Sequence, residues 1–235
     1  MTTAANEMTP VSGPAELPAA LFDPEEPMVP DLASSVDPLP SLAAPVYRKL
    51  TAHDQALVEA HLQRLEPHDR HLRFWGGMTD QAIKDYCDRL DWSAAVLVGA
   101  FIDGELRGVG ELVRIRLVPQ IMAEVAFSVE GPWQNAGVGT ELVRRILTIA
   151  RNRCIDRVYM LCLSENKKMQ KIASKFEMIL SYDEGEVEAR ILPAWPSYMS
   201  LMAEAVDDSQ AWFSTIFDPS FLWPQAEDGP KATTV

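Results

Sequence analysis

Three cysteines in 235 residues, Cys87, Cys154 and Cys162, are too few and too odd in number to frame the chain with disulfides. Each falls within a segment of regular apolar pattern, which suits reduced, buried thiols and leads us to expect a cytoplasmic setting. Long apolar runs are missing too. Nowhere do eighteen or more apolar residues follow one another, and the N-terminus has no basic stretch leading into an apolar one, so neither a membrane span nor a secretory signal is expected. Basic charge is scarce: 21 Lys and Arg stand against 34 Asp and Glu, a net −13. The deficit belongs to the ends. Residues 1–45 carry seven acids and no Lys or Arg, residues 193–235 carry six acids and one Lys, and the stretch between is close to neutral at −1. With no domain-wide basic face to neutralise phosphates, nucleic acid is not an expected partner.

Proline is concentrated at the N-terminus, where Pro10, Pro14, Pro18, Pro24, Pro27, Pro30, Pro38, Pro40 and Pro45 interrupt any helix or ladder, and residues 1–45 read as a disordered leader. From 46 the pattern changes to short alternating elements. A strand is expected over 46–50, a helix over 53–65 capped by Thr51, and a helix over 79–90 capped by Thr79. Strands over 94–102 and 105–115 flank Asp103-Gly104, a strong hairpin signal. Further on, 121–129 and 157–163 read as strands, 166–176 as a helix, and 178–182 with 187–192 as a last hairpin around Glu184-Gly185. Residues 46–192 thus form one α+β domain of catalytic size. Over 193–217, Met199, Met202, Ala203, Val206, Trp212, Phe213 and Ile216 recur at near-helical spacing, as in an appended helix packing its apolar side on the core, and 218–235 is expected to be loose.

The most informative stretch is Glu124-Val-Ala-Phe-Ser-Val129, followed by Gln134-Asn-Ala-Gly-Val-Gly-Thr140. Val125, Phe127 and Val129 alternate with Glu124, Ala126 and Ser128 as a strand requires, while Leu142, Val143, Ile146, Leu147 and Ala150 take up helical spacing from about Gly137. Gly137 and Gly139 free backbone N–H groups at the positive end of that helix, a favourable place for a pyrophosphate.

This strand, turn and helix resembles the Gln/Arg-x-x-Gly-x-Gly/Ala loop of the GNAT (Gcn5-related) N-acetyltransferases. The likeness extends over 46–192 through Trp133 and through Asn166-Lys-Lys-Met169-Gln-Lys-Ile172-Ala173-Ser-Lys175-Phe-Glu-Met178, which looks like the family's Asn-x-x-Met-x-x-Leu-Ala-x-Lys-x-Gly-Phe helix. The resemblance implies a mixed, mostly antiparallel sheet of six to seven strands with helices on both faces. It further implies acetyl transfer from acetyl-CoA to an amine by direct attack on the thioester, with no metal. The acceptor is a protein lysine by likeness to bacterial lysine-acetyltransferase domains, or else a small amine. The pyrophosphate falls to Gln134, Asn135, Ala136, Gly137, Val138, Gly139 and Thr140, and the pantetheine and thioester carbonyl to the backbone of Phe127, Ser128 and Val129.

Glu124, on an Ala-Glu-Val-Ala-Phe strand like that of the lysine acetyltransferases, is the candidate general base, and Glu111 on the neighbouring strand is the alternative. A cross-strand pair of these carboxylates would raise one pKa. Arg73 and Phe74 match an Arg-x-x-Leu-Arg-Phe stretch beside the family's acceptor cleft. Asn166 either bonds the pantetheine or caps its helix, and Lys167, Lys168 and Lys171 either meet the 3′-phosphate or form a solvated face. His68, Asp69 and His71 lack a third firm ligand for a metal site. Several positions depart from the family: Asn135 and Ala136 replace Gly and a cation in the loop, Glu177-Met178 replaces Gly-Phe, and Ala173 stands where many members carry a Tyr acid. These departures keep open a second reading, a degenerate domain that binds acyl-CoA as a sensor or interaction module.

Overall fold

The structure, a computed structural model, describes residues 44–117 and 120–216, so nearly all of the expected leader and all of the expected tail lie outside the described residues. In chain order the elements are β1 (Val46–Lys49), α1 (Gln55–Arg64), α2 (Pro67–Phe74), α3 (Asp80–Asp88), β2 (Ala95–Ile102), β3 (Glu105–Leu117), β4 (Gln120–Val129), α4 (Val138–Asn152), β5 (Arg157–Leu163), α5 (Lys167–Lys175), β6 (Ile179–Asp183), β7 (Glu186–Ile191) and α6 (Tyr198–Ile216). The local signals act as their chemistry requires. Thr51 and Asp54 form a capping box ahead of α1, and Thr79 Oγ1 accepts the amide of Ala82 at the start of α3. Asp103 and Gly104 take φ of 53° and 77°, the paired left-handed residues that match the twist of a tight hairpin. The apolar pattern does not announce α2, since only Leu72 and Phe74 are apolar beyond its proline. Pro67 in its first turn, where a missing N–H costs nothing, is the readable sign.

The seven strands lie in the order β1-β2-β3-β4-β5-β7-β6, and every neighbouring pair is antiparallel except β4 with β5. Helices cover both faces. On one, Leu142, Ile146 and Ile149 of α4 pack on Val98, Leu112, Val125 and Val158. On the other, Val58 and Leu62 of α1 and Ile83 and Cys87 of α3 pack on Leu97, Leu106 and Val109. Both layers together explain why β2 is apolar along nearly its whole length rather than alternating.

The parallel pair determines where a site is possible. β4 and β5 register only at Met122–Glu124 with Arg157–Tyr159. Beyond that β5 stays with β7 as far as Leu163, and β4 stays with β3 as far as Val129, so the two strands part. The sheet opens into a wedge in its middle, and one row of β4 backbone groups is left facing the gap.

The last helix docks opposite to its apolar pattern. Met199, Met202 and Val206, expected against the core, are exposed, Met199 by 73%. The acidic side faces the body instead: Lys49 Nζ meets Glu204 at 2.6 Å and Asp208 at 2.7 Å, Arg144 meets Asp207 at 2.8 Å, and Asn152 Nδ2 donates to Ser200 O and Glu204 Oε2. The receiving surface on β1 and the outer flank of α4 is cationic, with Lys49, Arg144, Arg145 and Arg153, and it selects the acidic ridge over the apolar one. The side chains of Trp212, Phe213 and Ile216 lie outside the described residues.

Candidate active site

A cavity of about 710 Å³ lies against the far end of β4, beyond the point where β5 parts from it, between α2 on one side and the turn before α4 together with α5 on the other. Of the residues picked out by sequence, Phe127, Ser128, Val129, Gln134, Asn135, Gly137, Gly139, Thr140, Asn166 and Arg73 line it. Ala136 is exposed beside it and Val138 is buried beneath it, so these two belong to the turn without facing the cavity. Gly110, opposite Phe127 across the sheet, makes the wall possible: a Cβ there would sit 3.0 Å from the Phe127 ring.

The turn has the form expected of an anion cradle. Asn135 (φ 60°) and Gly137 (φ 87°) are both left-handed, so the backbone coils in on itself before α4, whose first N–H groups have no partner within the helix. Asn135 accepts the geometry that the family gives to glycine. Its neighbour is pinned: Gln134 Nε2 donates to Asp69 Oδ2 (2.8 Å) and to the carbonyl of Val129 (2.9 Å), and its Oε1 accepts from Lys168 Nζ (2.5 Å). One side chain thus joins α2, the end of β4 and α5. Lys168, Lys171 and Lys175 give this side of the cavity a cationic rim, whereas Lys167 does not line it. Asn166 Oδ1 accepts the amide of Met169 (3.1 Å), so the residue caps α5 while also lining the cavity. Ala173 is fully buried in the core below α4, pointing away from the cavity, and Met169 and Ile172 take the lining positions.

The opposite wall comes from Leu65, Asp69, Leu72 and Arg73. The Arg73 guanidinium is committed at 2.7 Å to Glu111 and at 3.0 Å to the Tyr86 hydroxyl, while Tyr86 donates to Glu111 at 2.6 Å. Burial, the largest influence, pushes the Tyr86 pKa well up and keeps it a neutral donor. Phe74 packs edge-on against Tyr86 and does not reach the cavity. Glu111 is therefore the buried counter-ion of Arg73. It stands across from Ala126, and Glu124 stands across from Val113, so the direct cross-strand carboxylate pair does not form. Glu124 is exposed at the point where β4 and β5 begin to part, on the same face of β4 as Ser128 and roughly 13 Å along the strand from it at the usual strand rise.

Behind Ser128 lies a cluster that the motif reading passed over. His61 of α1 is wholly buried, with Nδ1 3.0 Å from Glu130 Oε1 and Nε2 2.9 Å from Ser128 Oγ. Arg64 and Arg107 also bond the Glu130 carboxylate, at 3.0 and 2.9 Å. Burial by itself would raise the Glu130 pKa, but the hydrogen bonds from His61, Arg64 and Arg107 hold it below the ordinary carboxylate value. For His61, burial lowers the pKa, opposed by Glu130 and reinforced by the two arginines, so the imidazole is neutral. A carboxylate accepts only, which puts the ring proton on Nδ1 and leaves Nε2 to accept the Ser128 hydroxyl. The sign in the sequence was a histidine on the apolar stripe Val58, His61, Leu62, Leu65.

The sequence profile of the acetyltransferase (GNAT) family matches residues 60–178. An acetyltransferase of Pseudomonas aeruginosa is 26% identical over 129 residues, covering 53% of this chain and 69% of the relative. Among solved structures, the GNAT domain of PAT from S. lividans superposes with a TM-score of 0.54 at 24% identity, over 62% of this chain and 89% of that one. A ribosomal-protein-alanine N-acetyltransferase from Brucella melitensis gives 0.51 at 12% identity, over 63% and 99%. At such identities these structures speak for the fold. The profile, matched over half of the chain on that same fold, adds the family: this chain belongs to the GNAT N-acetyltransferases.

Proposed function

We propose that the protein transfers an acetyl group from acetyl-CoA to an amine, with a protein lysine as the favoured acceptor and a small amine as the alternative. The observation that carries this is the wedge between β4 and β5, which ends at the left-handed turn and the N-terminus of α4. On this reading the amides of residues 135–140 hold the pyrophosphate. Lys168, Lys171 and Lys175 face the remaining phosphate charge, and the gap-facing backbone of Phe127–Val129 bonds the pantetheine and polarises the thioester carbonyl. Glu124 is the proposed base for the incoming ammonium: it is exposed at the start of the parting, whereas Glu111 is closed off by Arg73 and Tyr86. Arg73, with Phe74 and Tyr86 behind it, shapes the acceptor side. A lysine acceptor is favoured by the Ala-Glu-Val-Ala-Phe strand. The three free thiols, two of them buried, suit a cytoplasmic protein.

Two measurements test the reading together: calorimetric titration with CoA, and release of free thiol from acetyl-CoA in the presence of a lysine-containing peptide or, separately, a polyamine. Binding with acceptor-dependent thiol release is expected. Binding without release from any amine would favour the sensor reading, and absence of binding would remove the cavity's assignment.

A further inference from the structure

Ser128, His61 and Glu130 form a hydrogen-bonded chain in the order of a serine–histidine–carboxylate triad, running from the cavity wall into the interior. His61 is fully buried, so whatever it does at the cavity it does through the Ser128 hydroxyl. We propose that this chain is the proton relay of acyl transfer, Ser128 being the group that touches the reacting atoms and His61 and Glu130 the residues that activate it.

The relay rests on the acetyl-transfer reading above and fills its missing step. The position at which many relatives carry a Tyr acid is an alanine turned into the core, so the departing sulfur has no proton donor there. Once the ammonium has given its first proton, through intervening water, to the Glu124 carboxylate at the open end of the cleft, the amine nitrogen bonds the acyl carbon and its second proton passes to Ser128 Oγ as the serine's own proton moves to His61 Nε2. The carbon–sulfur bond then breaks, and the sulfur takes a proton from Ser128 while His61 returns its proton to the serine. Amide and thiol are the products, and the relay ends as it began. The charged groups around the imidazole fit this traffic. Glu130 stabilises the transient imidazolium from the Nδ1 side, while Arg64 of α1 and Arg107 of β3 neutralise part of that carboxylate, so the resting imidazole stays neutral and able to accept.

The first test needs no acceptor. A fluorophosphonate probe reacts with a hydroxyl that a neighbouring imidazole deprotonates; it should label Ser128, be blocked by CoA, and label His61→Gln at least about tenfold more slowly. The second uses acetyl-CoA and a lysine peptide: Ser128→Ala and His61→Gln should each lower kcat by about 10²-fold, and the double variant should be no slower than the worse single one. A purely structural chain would move melting temperature but neither labelling nor the flat double-variant response. If His61→Gln does not fold, Ser128→Ala, which removes one oxygen, carries the kinetic arm.

A folded parent whose Ser128 resists the probe overturns the proposal, as does an unchanged rate in Ser128→Ala. Intact-mass detection of an acetyl group on Ser128 during turnover would replace the relay with a covalent acyl-enzyme. A parent that labels at Ser128 and binds CoA, yet releases no thiol with the peptide, would support the activated serine and count against the lysine acceptor alone.

Discussion

Gly137 takes φ 87° with open space where a Cβ would go, so an aspartate there is not blocked by neighbours. It is strained by its backbone and places a carboxylate among the amides proposed to face pyrophosphate. Gly137→Asp should lower stability by about 1 kcal/mol through the left-handed backbone, and calorimetry should show CoA affinity reduced at least about tenfold in the folded protein. Glu177 presents the reverse case. Its φ of 55° closes α5 with the bonds Met178 N–H to Ala173 O and Glu177 N–H to Ser174 O, a Schellman end built on a residue poorly suited to it. Glu177→Gly should raise stability by about 0.5–1 kcal/mol in chemical denaturation, because it relieves that strain. At Glu124, substitution by Gln should leave CoA affinity intact and lower turnover by about 10²-fold, with the rising limb of the pH profile displaced toward the pKa of the amine itself. An unmoved profile would make Glu124 an ordinary strand residue.

Among the elements, α6 separates pattern from packing most clearly. Its apolar ridge is real, but the surface it meets presents Lys49, Arg144, Arg145 and Arg153, and an acidic ridge on the same helix answers those charges. Asp207→Asn should therefore cost about 1 kcal/mol at low ionic strength, and the loss should shrink in 1 M salt, read by thermal melts at both salts. Met199→Ser and Met202→Ser should leave the melting temperature nearly unchanged, the opposite of what core residues would do. The short α2 was hidden for a related reason: its residues bond outward to other elements, Arg73 to Glu111 and Asp69 to Gln134, so a hydrophobic period never had to develop. Capping and hairpin residues were readable because their chemistry is local, requiring only an oxygen beside an amide or a residue that tolerates positive φ.

For the whole molecule, the shifted carboxylates all push stability in one direction with pH. Hydrogen bonds from Arg48 bring Asp54 down to about 2, and Glu130, Glu141 and Glu204 are likewise held below the ordinary carboxylate value by the groups that bond them, against the effect of burial. A carboxylate with a lowered folded pKa contributes stability that is complete above its unfolded value near about 4 and is lost as pH falls through the folded value. His61 acts in the same sense at higher pH. Buried and neutral, it resists a proton that the unfolded chain accepts, so stability falls as pH drops below about 6.5. The melting temperature should decline gently from pH 6.5 and steeply from about pH 4 toward 2. The gentle limb should be missing in His61→Gln, provided that variant folds.

Sequence alone determined the left-handed turn ahead of α4, the strand that leads into it, the hairpins and the caps, because each depends on residues close together in the chain or on an apolar period that burial enforces; the sheet with helices on both faces was legible only through the resemblance to the family. Asn135 shows the same locality at one position: the turn demands a left-handed residue, and asparagine supplies it without glycine. Tertiary structure decided which polar side chains meet. Glu111 became the partner of Arg73 and Tyr86, Gln134 joined three elements, α6 turned its acids inward, and His61 came to lie between Ser128 and Glu130, 67 and 69 residues away in the chain. Such contacts have no period and no fixed spacing. Their energy comes from desolvated charges and hydrogen bonds brought together by the sheet, and only the folded sheet sets those distances.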